Sequence, residues 1–282
     1  MQSSPIIQKG WLRVLLFLIG YLLLIFFGSA LAGVLIVLAG LTVTAETLFY
    51  GTIVLSFIIA FATVSFFRNV FDRQTVKSLG FTWKGFGKER AAGFLTGILL
   101  LSAMATVLWL MKLLQWFPAD VDPNGFILAV VMMILVSFAE ELVFRGYVLN
   151  NLMQSMPKEA ALFTSAILFA VFHSLNPNFN LIAFINIFIA GILLGVNYIF
   201  TRNLWFAIFF HFSWNFFQGP VLGFEVSGLS LPSLLDQNLK GSILLTGGAF
   251  GLEASWLTTF ATSLMAIALF FLFQRKYNSN VE

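Results

Sequence analysis

Long apolar stretches separated by short polar segments dominate the pattern along the chain. A helix that crosses a bilayer needs about 20 mostly apolar residues. Eight stretches approach this length, so the pattern predicts an all-α, polytopic membrane helix bundle with about eight transmembrane helices. The predicted spans are 12–41, 47–67, 91–115, 126–155, 159–175, 181–200, 203–220 and 254–273.

The composition agrees with this pattern. Of the 282 residues, 60% are hydrophobic and 10% are charged, whereas a soluble domain carries about 25% charged residues. The longest predicted loop, 221–253, is too short for a separate soluble domain, so we expect one integral membrane domain over 1–282. Cysteine is absent, which excludes disulfides, thiolate metal sites and cysteine nucleophiles.

The N-terminus resembles a signal peptide, because Lys9 and Arg13 precede an apolar stretch. That stretch continues to Leu41, whereas the apolar region of a signal peptide is about 7–15 residues long. We therefore expect a retained first span.

Basic residues are concentrated in alternate loops. Six of them lie between the second and third predicted spans, and Arg275 and Lys276 follow the last one. The loops on the other side carry Lys240 and the acidic residues Glu46, Asp120, Asp122, Glu225, Asp236 and Glu253. The positive-inside rule predicts that both termini are cytoplasmic. The same rule explains why the basic residues are concentrated in these loops, so we expect no nucleic-acid partner.

Few ionisable residues fall inside the predicted spans. They are Glu140, Glu141 and Arg145 on the fourth span, His173 on the fifth and His211 on the seventh. Their uncharged polar companions are Asn186, Asn197 and Asn215. A charge at the centre of a membrane helix costs about 2.5–3.5 kcal/mol and normally faces the bundle interior, where it has a function.

Helix periodicity separates the two adjacent glutamates. Glu141 and Arg145 are four residues apart, so they can pair on one face of the helix. Glu140 is rotated from Glu141 by about 100° and keeps no partner on its own helix. Glu140 is therefore the carboxylate available as a general base. The alternative is that the Glu141–Arg145 pair only orients the fourth span.

Depth in the membrane tests whether these residues can meet. If the fourth span continues to about residue 155, Glu140 lies about 22 Å from the cytoplasmic end and His173 about 21 Å. His211 and Asn215 share one face of the seventh span and can join them. A shared site therefore requires a long fourth span that keeps Arg145 within the membrane. The alternative is that both histidines are structural.

Three motifs resemble those of the CPBP family, which comprises CAAX proteases and bacteriocin-processing enzymes and is also called the Abi family. "EELVFR" is similar to EExxxR, "FAVFH" to FxxxH and "HFSWN" to HxxxN, in the family's order and on separate spans. The resemblance covers 68–220, which is the predicted family core. It implies an intramembrane endopeptidase in which Glu140 activates water with help from His173. His211 and Asn215 would stabilise the oxyanion.

The resemblance also implies that Glu141 and Arg145 hold the helix and its charge balance. The family is often labelled as metalloproteases, and Glu140, His173 and His211 form a possible zinc set. However, Glu140 would then be a ligand and no free carboxylate would remain as the base. The motif HExxH is also absent. We therefore expect a metal-free mechanism, with zinc as the alternative.

Two other functions stay open at this point. A non-catalytic scaffold or bacteriocin-immunity protein could keep the same fold. An ion-coupled transporter could use intramembrane Glu and His as a proton relay, although no inverted repeat is visible. For the endopeptidase we expect a membrane-associated peptide or protein substrate, prenylated or not. We expect the protein in a bacterial plasma membrane.

Overall fold

The computed structural model describes residues 4–278, which form a bundle of long helices. The helices are α1 (Gly10–Leu38), α2 (Ala45–Val70), α3 (Gly87–Leu110), α4 (Pro123–Leu152), α5 (Lys158–Phe172), α6 (Leu181–Thr201), α7 (Trp205–Phe216) and α8 (Trp256–Asn278). Short helical turns cover Val76–Leu79, His173–Leu175, Ile243–Thr246, Gly248–Phe250 and Leu252–Ala254. The prediction of an all-α polytopic bundle is confirmed.

Seven of these helices are long and apolar enough to cross a membrane. The seventh predicted span, 203–220, is the exception. It corresponds to α7, which has 12 residues and continues as a π-helical turn over Phe217–Val221. The predicted third span is too long by several residues. The chain leaves α3 at Leu110, because Lys112 has a positive φ of 59° that a helix cannot accommodate.

A two-stranded antiparallel sheet follows at this point. Strand β1 (Leu114–Pro118) pairs with β2 (Leu235–Leu239), which belongs to the segment between α7 and α8. The indole Nε1 of Trp116 donates to the carbonyl oxygen of Leu222 at 3.0 Å. These contacts fasten the long inter-helix segment to one end of the bundle.

Helix α4 begins with a strong capping arrangement. The Asp122 carboxylate accepts hydrogen bonds from the backbone N–H groups of Asn124 and Gly125, and Pro123 occupies the first turn, where its missing N–H costs nothing. The helix then continues without a break to Leu152. The long fourth span that the depth argument required is confirmed.

One stretch in the second half of α4 is not α-helical. Residues Leu142–Leu149 form a π-helix, and every one of them is buried. Such π-helical segments inside α-helices are rare and frequent at functional sites. The π-helix starts directly after the two glutamates, so it changes the direction in which Arg145 and Tyr147 point relative to a regular helix.

Two glycines allow α3 and α7 to touch. A Cβ at Gly93 would lie 2.3 Å from the carbonyl oxygen of Phe206, and a Cβ at Gly97 would lie 2.2 Å from Oγ of Ser213. Small residues are the usual means by which membrane helices approach each other this closely. This contact sets the position of α7, which carries His211.

The first two helices join the rest of the bundle through buried charges. Arg13 forms an ion pair with Asp72 and donates to Oε1 of Gln154 at 2.6 Å. Arg68 donates to the other carboxylate oxygen of Asp72 at 2.7 Å. The sequence pattern places Arg13 and Arg68 beside loops, but both are almost fully buried here. They link α1 and α2 to the end of α4.

We expect Gly93→Ala to lower the unfolding temperature in detergent, because the added methyl group must displace backbone. Overpacking of this kind typically costs about 1–3 kcal/mol. Gly33→Ala on α1 is the matched control, since nothing lies within 4 Å of its added Cβ. Equal unfolding temperatures for both variants would contradict the close α3–α7 contact.

Candidate active site

A cavity of about 370 Å³ opens in the interior of the bundle. Four of the predicted site residues line it: Glu140, His173, His211 and Asn215. The other two, Glu141 and Arg145, lie behind the cavity wall and are completely buried. The structure therefore brings all six residues into one region, although they come from two helices and a helical turn.

Glu140 lies between the two histidines. Its Oε2 atom is 3.6 Å from Nε2 of His173 and 3.9 Å from Nε2 of His211. Among the described residues this buried oxygen has no hydrogen-bond partner. A buried polar atom without a partner is uncommon and calls for an explanation such as catalysis or an ordered water.

The backbone of α5 orients His173. Its Nδ1 atom is 2.8 Å from the carbonyl oxygen of Phe169, one turn earlier. A carbonyl oxygen can only accept, so Nδ1 carries the proton in this arrangement. The unprotonated Nε2 atom of the neutral ring then faces Glu140. Phe169 also packs its ring against His173, with centroids 4.4 Å apart.

Glu141 contacts more than Arg145. Its Oε1 atom accepts a hydrogen bond from Nη1 of Arg145 at 2.8 Å and lies 2.8 Å from Nδ1 of His211. The predicted pairing of Glu141 with Arg145 is present, and His211 is a second partner that the sequence did not indicate. Because Oε1 already accepts from Arg145, it acts as the acceptor here too, and His211 donates from Nδ1.

Arg145 is held from three sides. Besides Glu141, its Nη2 atom donates to the carbonyl oxygen of Gly191 at 3.1 Å. Its guanidinium carbon also lies 4.3 Å from the centre of the Phe169 ring, in a cation–π contact. Phe169 thus contacts two site residues. A sequence with 35 phenylalanines gives no signal that would single it out.

The three asparagines of the predicted spans differ in whether they line the cavity and in what their side chains contact. Asn215 lines the cavity one turn after His211 on α7. Asn186 also lines it, but its Nδ2 atom donates to the carbonyl oxygens of Glu253 and Ser255, each at 2.8 Å. Asn186 therefore anchors the start of α8. Asn197 does not line the cavity, and its side chain bonds to Thr201 at 2.9 Å.

Glu253 is a cavity residue that the sequence pattern assigned to a loop. It stands in the turn Leu252–Ala254, directly before α8, and only 9% of its surface is exposed. Its Oε1 atom accepts from Nε1 of Trp214, and its Oε2 atom accepts from the backbone N–H and the hydroxyl of Ser227. Burial raises the pKa of Glu253, and the hydrogen bonds from Ser227 and the charge of His173 oppose this shift in part.

A metal-free site stays a prediction, and two observations support it. Within residues 4–278, no group of three or more His, Cys, Asp or Glu side chains is arranged to hold a metal. A zinc ion on Glu140, His173 and His211 would also occupy the carboxylate that faces Nε2 of both histidines. Glu141 is a poor replacement as the base, since Arg145 and His211 engage its Oε1 atom and it does not line the cavity.

The fold and this site define a polytopic membrane protein with a buried glutamate–histidine centre. Residues 122–217 match the family model described as type II CAAX prenyl endopeptidase Rce1-like. The matched segment contains all three motifs and lies inside the predicted core of 68–220. Over this segment, the match agrees with the predicted resemblance to the CPBP family of CAAX proteases. Neither a curated protein nor a solved structure matches the chain.

The bonds of Glu141 predict that its two partners are not equivalent. Glu141→Ala leaves Arg145 without its carboxylate, and breaking a buried pair in this way costs about 3–5 kcal/mol. Arg145→Ala leaves Glu141 still bonded to His211, so we expect a smaller loss. Thermal unfolding of both variants in one detergent measures the difference. Equal losses, or a larger loss for Arg145→Ala, would show that His211 does not stabilise Glu141.

The metal content of the purified protein can be measured directly. We expect less than one zinc ion per chain by elemental analysis of active protein. The opposite result would be one zinc ion per chain that disappears in His173→Ala and in His211→Ala but stays in Asn215→Ala. That pattern would make both histidines ligands and would remove the argument for Glu140 as a free base.

Proposed function

We propose that this protein is an intramembrane endopeptidase in which Glu140 activates water to hydrolyse a peptide bond of a membrane-associated substrate. The observation that carries this proposal is the position of Glu140. Its buried Oε2 atom faces Nε2 of two histidines and has no hydrogen-bond partner among the described residues. The family match adds that relatives of this segment are endopeptidases.

The distances favour a water molecule between Glu140 and the histidines. Separations of 3.6 and 3.9 Å are too long for direct hydrogen bonds, and a polar contact beyond about 3.5 Å is commonly bridged by water. Such a water can donate one proton to Oε2 of Glu140 and the other to the unprotonated Nε2 of His173. Its lone pair then points away from both groups and towards a substrate carbonyl.

The reaction begins when Glu140 takes a proton from this water while the water oxygen bonds to the carbonyl carbon. The carbonyl π electrons move to the oxygen, which gives a tetrahedral intermediate with an oxyanion. The C–N bond then breaks, and the leaving nitrogen takes the proton that Glu140 holds. The acid product keeps the water oxygen, and Glu140 returns to its starting state. A positioned base typically contributes about 10²–10⁴-fold to the rate.

We assign His211 and Asn215 as donors to the oxyanion, because both line the cavity together with Glu140. His211 donates from Nδ1 to Glu141, so a second proton on Nε2 makes it a cationic donor that faces the cavity. The negative charge of Glu141 stabilises that cation. Asn215 supplies an amide N–H₂ group from the next turn of α7. One oxyanion donor is typically worth about 10²–10³ in turnover.

The walls of the cavity suit a substrate that approaches within the membrane. Much of the lining is apolar and comes from α2, α4 and α5, through residues such as Ile53, Phe57, Val136 and Phe172. These side chains can contact an apolar peptide segment or a lipid chain attached to it. We place the protein in a bacterial plasma membrane, with both termini cytoplasmic, as the positive-inside rule predicts.

The test uses the protein in detergent micelles with two sets of quenched fluorescent peptides. One set is farnesylated and ends in a CAAX sequence, and the other is an unmodified peptide library. We expect wild type to cleave at least one peptide and Glu140→Gln to lose turnover by about 10²-fold or more. Circular dichroism and thermal unfolding should show that the Gln variant remains folded.

Glu159→Gln is the matched control, because this glutamate on α5 is half exposed and lies far from the cavity lining. It should keep wild-type turnover. Cleavage by Glu140→Gln at the wild-type rate would remove Glu140 from the mechanism. No cleavage of any peptide by wild type would favour a non-catalytic member of the same fold.

A further inference from the structure

The cavity carries an unusual set of charged groups. Its lining includes two glutamates, Glu140 and Glu253, and two histidines, His173 and His211. No lysine or arginine from the described part of the chain lines it. The nearest buried arginine of the motifs, Arg145, is engaged by Glu141 behind the wall. The lining therefore carries two carboxylates and no side chain that is permanently cationic.

Glu253 is held firmly, but only by uncharged donors. Its three hydrogen bonds come from Nε1 of Trp214 at 3.2 Å and from the N–H and hydroxyl of Ser227, each at 2.7 Å. Trp214 precedes Asn215 on α7, and Ser227 belongs to the segment that covers the cavity. These bonds fix the carboxylate in the cavity wall and do not neutralise its charge.

A carboxylate in such a place is costly without a cation. Removing a charged group from water carries a penalty of several kcal/mol unless an opposite charge compensates it. Burial accordingly raises the pKa of Glu253, although Ser227 and His173 counteract this shift. A cation that entered the cavity with the substrate would provide the missing partner. A free C-terminal carboxylate would instead meet two like charges.

We propose that Glu253 determines substrate specificity, by binding a basic side chain of the peptide close to the scissile bond. This inference rests on the proposed endopeptidase function and names its substrate class. The substrate would be an internal peptide segment with a lysine or arginine near the cleaved bond. Its C-terminal carboxylate would lie outside this cavity.

The experiment compares three peptides that differ at one position and are cleaved at the same bond. The position carries lysine, norleucine or glutamate, and it is moved along both sides of the scissile bond. At the best position we expect wild type to prefer lysine over norleucine by about 10-fold or more in kcat/KM, which corresponds to about 1.4 kcal/mol. Glutamate should be the poorest of the three.

Glu253→Gln should reduce the ratio of lysine to norleucine to about 1. The matched control is Glu225→Gln, since Glu225 lies in the same segment but does not line the cavity. It should keep the wild-type ratio. A Glu253→Gln variant that is folded and keeps the lysine preference would overturn the proposal. If this variant does not fold, the wild-type series still decides, because a ratio near 1 at every position overturns it.

A binding measurement separates this inference from the proposed function. Fluorescence anisotropy of the labelled lysine and norleucine peptides on Glu140→Gln protein reports affinity without hydrolysis. Tighter binding of the lysine peptide, lost in the Glu140→Gln, Glu253→Gln double variant, supports the inference even if wild type cleaves nothing. Equal binding of both peptides contradicts the inference, even if wild type is an active endopeptidase.

Discussion

One carboxylate oxygen holds the site together. Oε1 of Glu141 accepts from Arg145 and from His211, each at 2.8 Å, inside an apolar bundle where a polar side chain needs a partner. Arg145 belongs to the same helix as Glu141, whereas His211 comes from α7. The shared oxygen therefore fixes the relative position of the two helices, and it also fixes which nitrogen of His211 faces the cavity.

The role of Glu140 depends on this arrangement. Because Glu141 engages both Arg145 and His211, neither of them bonds directly to the adjacent carboxylate of Glu140. The carbonyl oxygen of Phe169 similarly occupies Nδ1 of His173. Two imidazole Nε2 atoms and one free carboxylate oxygen thus converge on a single small volume. Outer partners that orient the inner groups in this way commonly matter as much to a site as the inner groups themselves.

The sequence predicts the helices and the six motif residues, because apolar length and the cost of buried charge are visible in single residues and their spacing. It does not predict the π-helix after Glu141, since nothing in LVFRGYVL differs from an ordinary helix. Nor does it reveal Glu253. A glutamate at the end of a long predicted loop, here 221–253, is usually exposed to solvent. Glu253 is buried only because that loop folds over the cavity. Its contacts with Trp214 and Ser227 join segments that are distant in the sequence, and such contacts cannot be read from residue spacing.

The protonation pattern of the two histidines is the most direct test of this arrangement. The chain contains only His173 and His211, so ¹⁵N-labelled histidine gives two ring systems, and His173→Gln assigns them. Long-range ¹H–¹⁵N spectra in micelles should show that neutral His173 carries its proton on Nδ1 and that His211 is protonated at Nδ1 as well. A proton on Nε2 of neutral His173, or an unprotonated Nδ1 on His211, would contradict it.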